Sequence, residues 1–165
     1  MLQKDQMTAK LLCFSSILLS GLSFWVFLPQ PSRAQDSNFG QVGVEPGKRA
    51  VVKGSTGGTT SLPAVVGNVD RDRNKCLGFG DPKPDHIVQL KGQFSTITFK
   101  VESNGQDTTL VVMAPNGDLR CGDDTGSKKD AVIRDSDLKA GSYKVWVGSA
   151  EPGAQINYRL MIQGN

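Results

Sequence analysis

The alternation of apolar and polar side chains along the second half of the chain predicts β-strands. In residues 94–101, Ile97, Phe99 and Val101 fall on one face of a strand, while threonine and lysine fall on the other. Further strand-like runs cover residues 39–44, 50–53, 86–91, 107–114, 119–121, 131–134, 143–147 and 156–162. Because no segment has sustained helical periodicity and turn residues separate the runs, the pattern predicts an all-β sandwich.

The first half of the predicted domain is poorer in such patterns. Residues 35–83 are rich in glycine, proline, asparagine, aspartate and hydroxyl side chains, and the segment GSTGGTTS at 54–61 has the composition of a flexible loop. We therefore predict three parts: a signal peptide at 1–34, a loop-rich N-terminal part of the domain at 35–83, and a β-sandwich core at 84–165.

The beginning of the chain has the pattern of an export signal. Lys4 and Lys10 precede an almost wholly apolar run at 11–28, and the small residues Ser32 and Ala34 follow it. A small-x-small sequence after a short apolar run is typical of signal peptidase cleavage. We expect cleavage after Ala34 and a secreted or periplasmic protein with no remaining membrane span. An uncleaved membrane anchor is the alternative, since 18 apolar positions are borderline for crossing a bilayer.

Cleavage would remove most of the excess positive charge. The 19 basic and 16 acidic side chains of the whole chain give +3. Without residues 1–34 the counts become 16 and 15, a formal charge of +1. No basic stripe has interleaved aromatic residues, so the sequence gives no support for nucleic-acid binding.

Cleavage would also remove Cys13 and leave only Cys76 and Cys121. Two cysteines in an exported domain can form a single internal bond, so we predict a Cys76–Cys121 disulfide. Free thiols or a metal site are the alternatives, although two cysteines and a single histidine are a poor ligand set for structural zinc.

Motifs in the second half resemble the bacterial pre-peptidase C-terminal domain family. The segments that carry the resemblance are PDHIVQL (84–90), DTTLVVMAPNGDLRCGDD (107–124), LKAGSYKVWVGS (138–149) and YRLMI (158–162). The resemblance implies a jelly-roll-like β-sandwich that usually accompanies secreted enzymes without catalysing, and some relatives bind calcium or extracellular polymers. No catalytic domain accompanies it here. We therefore expect a stand-alone, non-catalytic module that binds an extracellular or envelope polymer or protein; a structural envelope protein without a small ligand is an alternative.

Four aspartates are candidate calcium ligands. Asp123 and Asp124 match the Asp-Asp pair of the family, and Asp85 and Asp107 match its acidic positions at strand starts. Calcium takes six to eight oxygen ligands, which loop carboxylates and carbonyls can supply. The alternative is turn chemistry, in which aspartate side chains accept hydrogen bonds from nearby backbone N–H groups.

A second acidic segment, DRDRN at 70–74, begins like an EF-hand loop. Lys75 stands where that loop requires glycine, and Asp81 stands where it usually has a bidentate glutamate. A solvated, charge-balanced loop is the better interpretation of this segment.

In residues 143–147, the outward side chains could either bind a ligand or pack beneath another segment. Trp146 and Lys144 point opposite to Tyr143, Val145 and Val147 on a strand. An exposed Trp146 beside Lys144 would suit a ligand or partner, whereas a buried Trp146 would pack beneath the 50–80 loop. Tyr143 is expected in the core, with its hydroxyl bonded to backbone.

The competing function is a serine hydrolase. Ser55 lies in GSTGG, and His86, the only histidine of the chain, is the only candidate base of that type. A triad needs that base beside the serine and a carboxylate to orient it. The other interpretation is a glycine-rich loop serine and a histidine at a strand edge, and we favour this non-catalytic interpretation.

Overall fold

The computed structural model describes residues 37–124 and 128–165. The predicted signal peptide lies outside the described residues. Within those residues there are eleven strands and one short helix, and every run predicted from the sequence overlaps a strand. The elements are β1 Gln41–Val44, β2 Arg49–Ser55, β3 Thr60–Ser61, α1 Leu62–Val66, β4 Phe79–Gly80, β5 His86–Leu90, β6 Phe94–Glu102, β7 Thr108–Met113, β8 Leu119–Gly122, β9 Val132–Leu138, β10 Gly141–Ser149 and β11 Asn157–Gly164. No described helix is long and apolar enough to cross a membrane.

The described strands form two sheets. In the seven-stranded sheet, β10 is central: it pairs antiparallel with β5 and β4 on one side and with β7 on the other. β8 continues the sheet beyond β7, and β3 continues it beyond β4. The four-stranded sheet has the order β2-β11-β6-β9, all antiparallel. The predicted all-β sandwich is confirmed.

The core lies between the inner faces of the two sheets. Ile97, Phe99 and Val101 of β6 are all buried there, as their alternation predicted. Tyr143 is also buried, and its hydroxyl donates a hydrogen bond to the carbonyl oxygen of Lys139 at 2.9 Å. Apolar burial of this kind is the main favourable contribution to folding.

The N-terminal part of the domain contributes an edge strand to each sheet. β1 pairs in parallel with β5, whereas β2 pairs antiparallel with β11. After β2, the side chain of Thr56 is buried and bonds to the backbone of Ala154 and Ile156. The glycine-rich segment is therefore held in place at Thr56. Its composition, which is that of a flexible loop, did not indicate this.

Residues 62–82, here called the cover segment, pack on the outer face of the seven-stranded sheet and then join that sheet through β4. Leu62 at the start of α1 and Cys76 belong to a second buried apolar cluster on that face. The sheet contributes Val111, Leu119 and Trp146 to this cluster. This face of the sheet is therefore a second, smaller core.

A disulfide holds the cover segment to the sheet. Cys76 in the cover segment is bonded to Cys121 on β8, and their Cα atoms lie 5.1 Å apart. The pairing that the cysteine count predicts is present. Because the bond joins positions 45 residues apart, the chain-entropy model gives it a stabilisation of about 4 kcal/mol.

The DRDRN segment is a turn within the cover segment, and residues 71–74 are exposed, as a solvated loop predicts. Asp70 alone is buried. The Asp70 carboxylate accepts hydrogen bonds from the backbone N–H groups of Asp72, Asn74 and Cys121 and from the Asn74 side chain. Burial acts to raise the pKa of Asp70, but these hydrogen bonds together lower it. Asp70 therefore ties the cover segment to β8 beside the disulfide.

Candidate functional site

Three of the four predicted calcium ligands come together at one end of the sandwich. Asp107 directly precedes β7, and Asp123 and Asp124 directly follow β8. Because β7 and β8 are antiparallel neighbours, with Leu110 opposite Gly122, the start of β7 lies beside the end of β8. One carboxylate oxygen from each of the three aspartates lies within 4.8 Å of the others.

The electrostatics of this carboxylate cluster suit a cation. Burial, and then the negative charges of Asp124 and Asp107, raise the pKa of Asp123. One ammonium group already approaches the cluster, since Nζ of Lys129 lies 3.1 Å from Oδ2 of Asp107. The cluster thus gathers three hard oxygen donors, the type that calcium prefers, and among the described residues only Lys129 forms an ion pair with it.

Asp85, the fourth predicted ligand, is not part of this cluster. Its carboxylate accepts a hydrogen bond at 2.8 Å from the backbone N–H of Val147 and a longer one from Asn38. Burial raises the pKa of Asp85 to about 6, against the lowering effect of these bonds. Asp85 fastens the start of β5 to β10, so the inclusion of Asp85 in a shared calcium site does not fit the structure.

Trp146 and Lys144 share the outer face of β10, but only Lys144 is exposed. The Trp146 side chain is 4% exposed, packs against the cover segment and donates a hydrogen bond through Nε1 to the carbonyl oxygen of Pro82 at 3.2 Å. An aromatic ring needs an open face to stack on a ligand. Trp146 has none here, which corrects the predicted binding role in favour of packing. Lys144 lines a shallow groove with Gln41, Gln89 and Ser142.

His86 is a buried partner of Tyr158, not of Ser55. Its Nε2 lies 3.0 Å from the Tyr158 hydroxyl, and both rings pack against Phe39. Burial lowers the pKa of His86 to about 4. Among the described residues, Ser55 has no hydrogen bond to His86, so the geometry gives the serine no base.

An ion-pair cluster on the inner side of β9 was not found from the sequence. The buried Asp135 carboxylate contacts Nε of Arg120 at 2.5 Å and Nη2 of Arg71 at 2.7 Å. Arg120 also donates through Nη1 to the carbonyl oxygen of Leu119. These residues join the cover segment, β8 and β9, and they lie beside a cleft of about 370 Å³. Nothing local in the sequence marks them, because they are 49 and 15 positions apart.

Comparisons with known proteins give only similarities of shape. No family model matches the chain, and no curated protein matches it. The pre-peptidase C-terminal domain of a collagenase from Bacillus anthracis is similar in structure, with 15% identity, a TM-score of 0.46, and coverage of 79% of this chain and 98% of that one. PliG from Aeromonas hydrophila, a periplasmic inhibitor of g-type lysozyme, has 15% identity, a TM-score of 0.40, and coverage of 76% and 97%.

Proposed function

We propose that this protein is an exported, non-catalytic β-sandwich module that binds an extracellular or envelope ligand, and that calcium stabilises it at the carboxylate cluster. The observation that carries the calcium proposal is the convergence of Asp107, Asp123 and Asp124 from two separate loops. Three aspartates would supply between three and six of the six to eight oxygens that calcium takes. Backbone carbonyls or water would supply the rest.

Calcium would act on stability and not on chemistry. With three carboxylates so close, the negative charges repel one another: after burial, the charges of Asp124 and Asp107 contribute to the raised pKa of Asp123. A divalent cation would offset that repulsion and would join the start of β7 to the end of β8. The cluster lies at the end of the hairpin, beyond the paired residues, where such a link has the most effect on fraying.

The non-catalytic interpretation is supported by His86. The single histidine of the chain is occupied by Tyr158 and is shielded by Phe39. Its lowered pKa, about 4, leaves it neutral at physiological pH, and its Nε2 lies against the Tyr158 hydroxyl and has no hydrogen bond to Ser55 among the described residues. If hydrolysis were observed with the purified protein, unchanged activity in Ser55→Ala and His86→Ala would dismiss this pair as its source.

Export is supported by the N-terminal pattern and by the disulfide. A bond between Cys76 and Cys121 persists in oxidising compartments and is rare in the reducing cytosol of most organisms. The resemblance of residues 84–162 to domains of secreted enzymes points in the same direction.

The calcium proposal is tested by thermal unfolding in calcium, in magnesium and in excess chelator. Calcium at a hundred times its Kd adds about 2.7 kcal/mol, a rise in Tm of roughly 10 °C for a domain of this size. We expect this rise with calcium, little with magnesium, and its loss in Asp124→Asn. Glu45→Gln, at an exposed position after β1, changes the charge equally and should keep the rise. Identical melts in calcium and chelator would contradict the proposal.

Lys129 provides a second, opposite test of the same site. Its ammonium group competes with calcium for Asp107. We expect Lys129→Gln to lower the calcium concentration needed for half of the thermal shift. An unchanged or higher midpoint would show that the cluster is not where calcium acts.

A further inference from the structure

The outer face of the four-stranded sheet carries exposed and half-buried side chains and is strongly basic. On this face, register places side chains from β2, β11, β6 and β9 in rows. One row contains Lys53, Arg159 and Glu102; the next contains Val51, Met161, Lys100 and Val132; a third contains Arg49, Gln163, Thr98 and Arg134. The alternate positions of the same strands point into the core. We call this surface the open face.

Five cations and one carboxylate lie on the open face, a formal charge of +4 from residues that are scattered in sequence. Lys100 forms an ion pair with Glu102 at 3.2 Å. Within residues 37–124 and 128–165, the side chains of Arg49, Lys53, Arg134 and Arg159 form no ion pair, and all four are exposed. Since the chain without its predicted signal peptide carries only +1, the remaining surface is net acidic. The charge is therefore unevenly distributed: the open face has an excess of positive charge, and the rest of the surface has a small excess of negative charge.

Between the cations, the open face offers hydrogen-bonding groups on a shallow floor. A groove of about 410 Å³ is lined by Thr96, Thr98, Lys100, Arg134 and Gln163, together with Met161 and the last two residues. Hydroxyl and amide side chains can donate to and accept from sugar hydroxyls. Lysine and arginine side chains bind carboxylate and sulfate groups through charge-assisted hydrogen bonds.

The spacing of these groups suits a linear polymer better than a compact anion. Neighbouring strands lie about 4.8 Å apart, and side chains on one face of a strand repeat about every 6.8 Å. The cations therefore spread over the whole sheet instead of converging on one point. A polymer that carries one acidic group per repeat unit can contact several of them at once.

We propose that the open face binds an acidic polysaccharide, one whose sugars carry carboxylate or sulfate groups. This inference rests on the proposed binding function and names the class of its ligand. The face has no aromatic side chain, so it lacks the anchors that protein interfaces favour and the stacking platform that single-stranded nucleic acids favour. Its exposed apolar side chain, Val51, is smaller than the tryptophan, phenylalanine and leucine side chains that anchor interfacial helices in lipid.

The experiment measures binding of the purified protein to hyaluronan, a soluble polymer of alternating uronate and neutral sugars, with neutral dextran as the control polymer. We expect binding to hyaluronan only, weakening as salt rises, because salt screens exposed charges. The double variant Arg134→Gln with Arg159→Gln should weaken binding about tenfold, from the loss of two exposed charge contacts. The matched variant Lys83→Gln with Lys139→Gln removes the same charge from exposed positions elsewhere and should stay within about twofold.

Three results would overturn the proposal: no binding to hyaluronan by the unaltered protein, equal weakening in both double variants, or binding to phosphatidylglycerol vesicles without binding to hyaluronan. All measurements are made in calcium and again in chelator, with a thermal melt to show that each variant is folded. If calcium gives no thermal shift but hyaluronan still binds, only the calcium proposal is contradicted. If calcium gives the thermal shift but hyaluronan does not bind, only the polysaccharide proposal is contradicted.

Discussion

The outer faces of the two sheets differ: one is covered by another segment of the chain, and the other faces solvent. The outer face of the seven-stranded sheet holds Trp146, Val111 and Leu119 beneath the cover segment, whereas the open face of the four-stranded sheet holds charged and hydroxyl side chains in solvent. The sequences of the strands reflect this difference. β7 (TTLVVM) is apolar on both faces, while β11 (NYRLMIQG) alternates. A strand that is apolar on both sides needs a second layer of cover, and here the chain supplies it from the cover segment.

The difference also predicts where stability and binding reside. We call the outer face of the seven-stranded sheet the covered face. On the covered face, a disulfide, the Asp70 hydrogen bonds and the Trp146–Pro82 bond all join the cover segment to the sheet. On the open face, four of five cations form no ion pair among the described residues. Substitutions should therefore lower stability on the covered face and change binding on the open face.

The largest effect is expected from Trp146→Ala. Removing a buried tryptophan leaves a cavity and exposes the apolar cluster, so we expect a loss of about 3–5 kcal/mol in the free energy of unfolding by urea. Met161→Ala, at the middle of the open face, should cost about 1 kcal/mol or less. Equal losses at the two positions would erase the distinction between the faces.

The disulfide gives the next largest effect. Replacing Cys76 and Cys121 together by serine should lower the free energy of unfolding by about 2–4 kcal/mol, because the cross-link restricts the unfolded chain. Limited proteolysis should then cut first within residues 62–82. If the first cuts instead fall in the strands of the four-stranded sheet, the cover segment is not what the disulfide holds.

Asp70 gives a smaller effect that depends on pH. Its pKa is lowered in the folded state, so its contribution is present above pH 4 and is lost as the pH falls through the folded pKa. We expect Asp70→Asn to destabilise the protein by about 1–2 kcal/mol at pH 7 and to flatten the decline of stability in acid. Asp72→Asn, an exposed neighbour, is the control. An unchanged acid profile in Asp70→Asn would mean that Asp70 does not hold the cover segment through its charge.

The smallest effect on stability is expected on the open face. Arg134→Gln with Arg159→Gln should change the free energy of unfolding by no more than about 0.5 kcal/mol, since both side chains are exposed. A slight gain is reasonable because like charges are removed. A large loss in a urea melt would show that these arginines are structural, and any loss of binding could then no longer be assigned to the face.

How far the sequence predicts this molecule depends on how far apart the relevant residues lie. The strands were predicted because alternation is a local signal, as in β6. The disulfide was predicted because only two cysteines, Cys76 and Cys121, lie outside the predicted signal peptide. The packing of Trp146 beneath the 50–80 loop was one of two predicted alternatives. The contacts of the cover segment itself were not predicted, because they come from isolated residues such as Leu62 and Asp70 with no period to reveal them.

The charged sites depend on register, which the sequence did not supply. Asp107 joins Asp123 and Asp124 only because β7 and β8 pair, whereas Asp85 directly precedes β5, which pairs with β10 and β1 instead. The cations of the open face come from four strands whose positions run from 49 to 159. No local cluster of basic residues exists, so a search for basic stripes could not find this surface.

The central claim is that the open face binds and the covered face stabilises. Nuclear magnetic resonance tests it most directly, by mapping chemical-shift changes in the labelled protein as hyaluronan is added. We predict changes around the outward residues of β2, β6, β9 and β11, such as Lys53, Arg134 and Arg159, and none around the cover segment. Changes that concentrate on the cover segment or the groove beside Lys144, with the open face silent, would contradict the account.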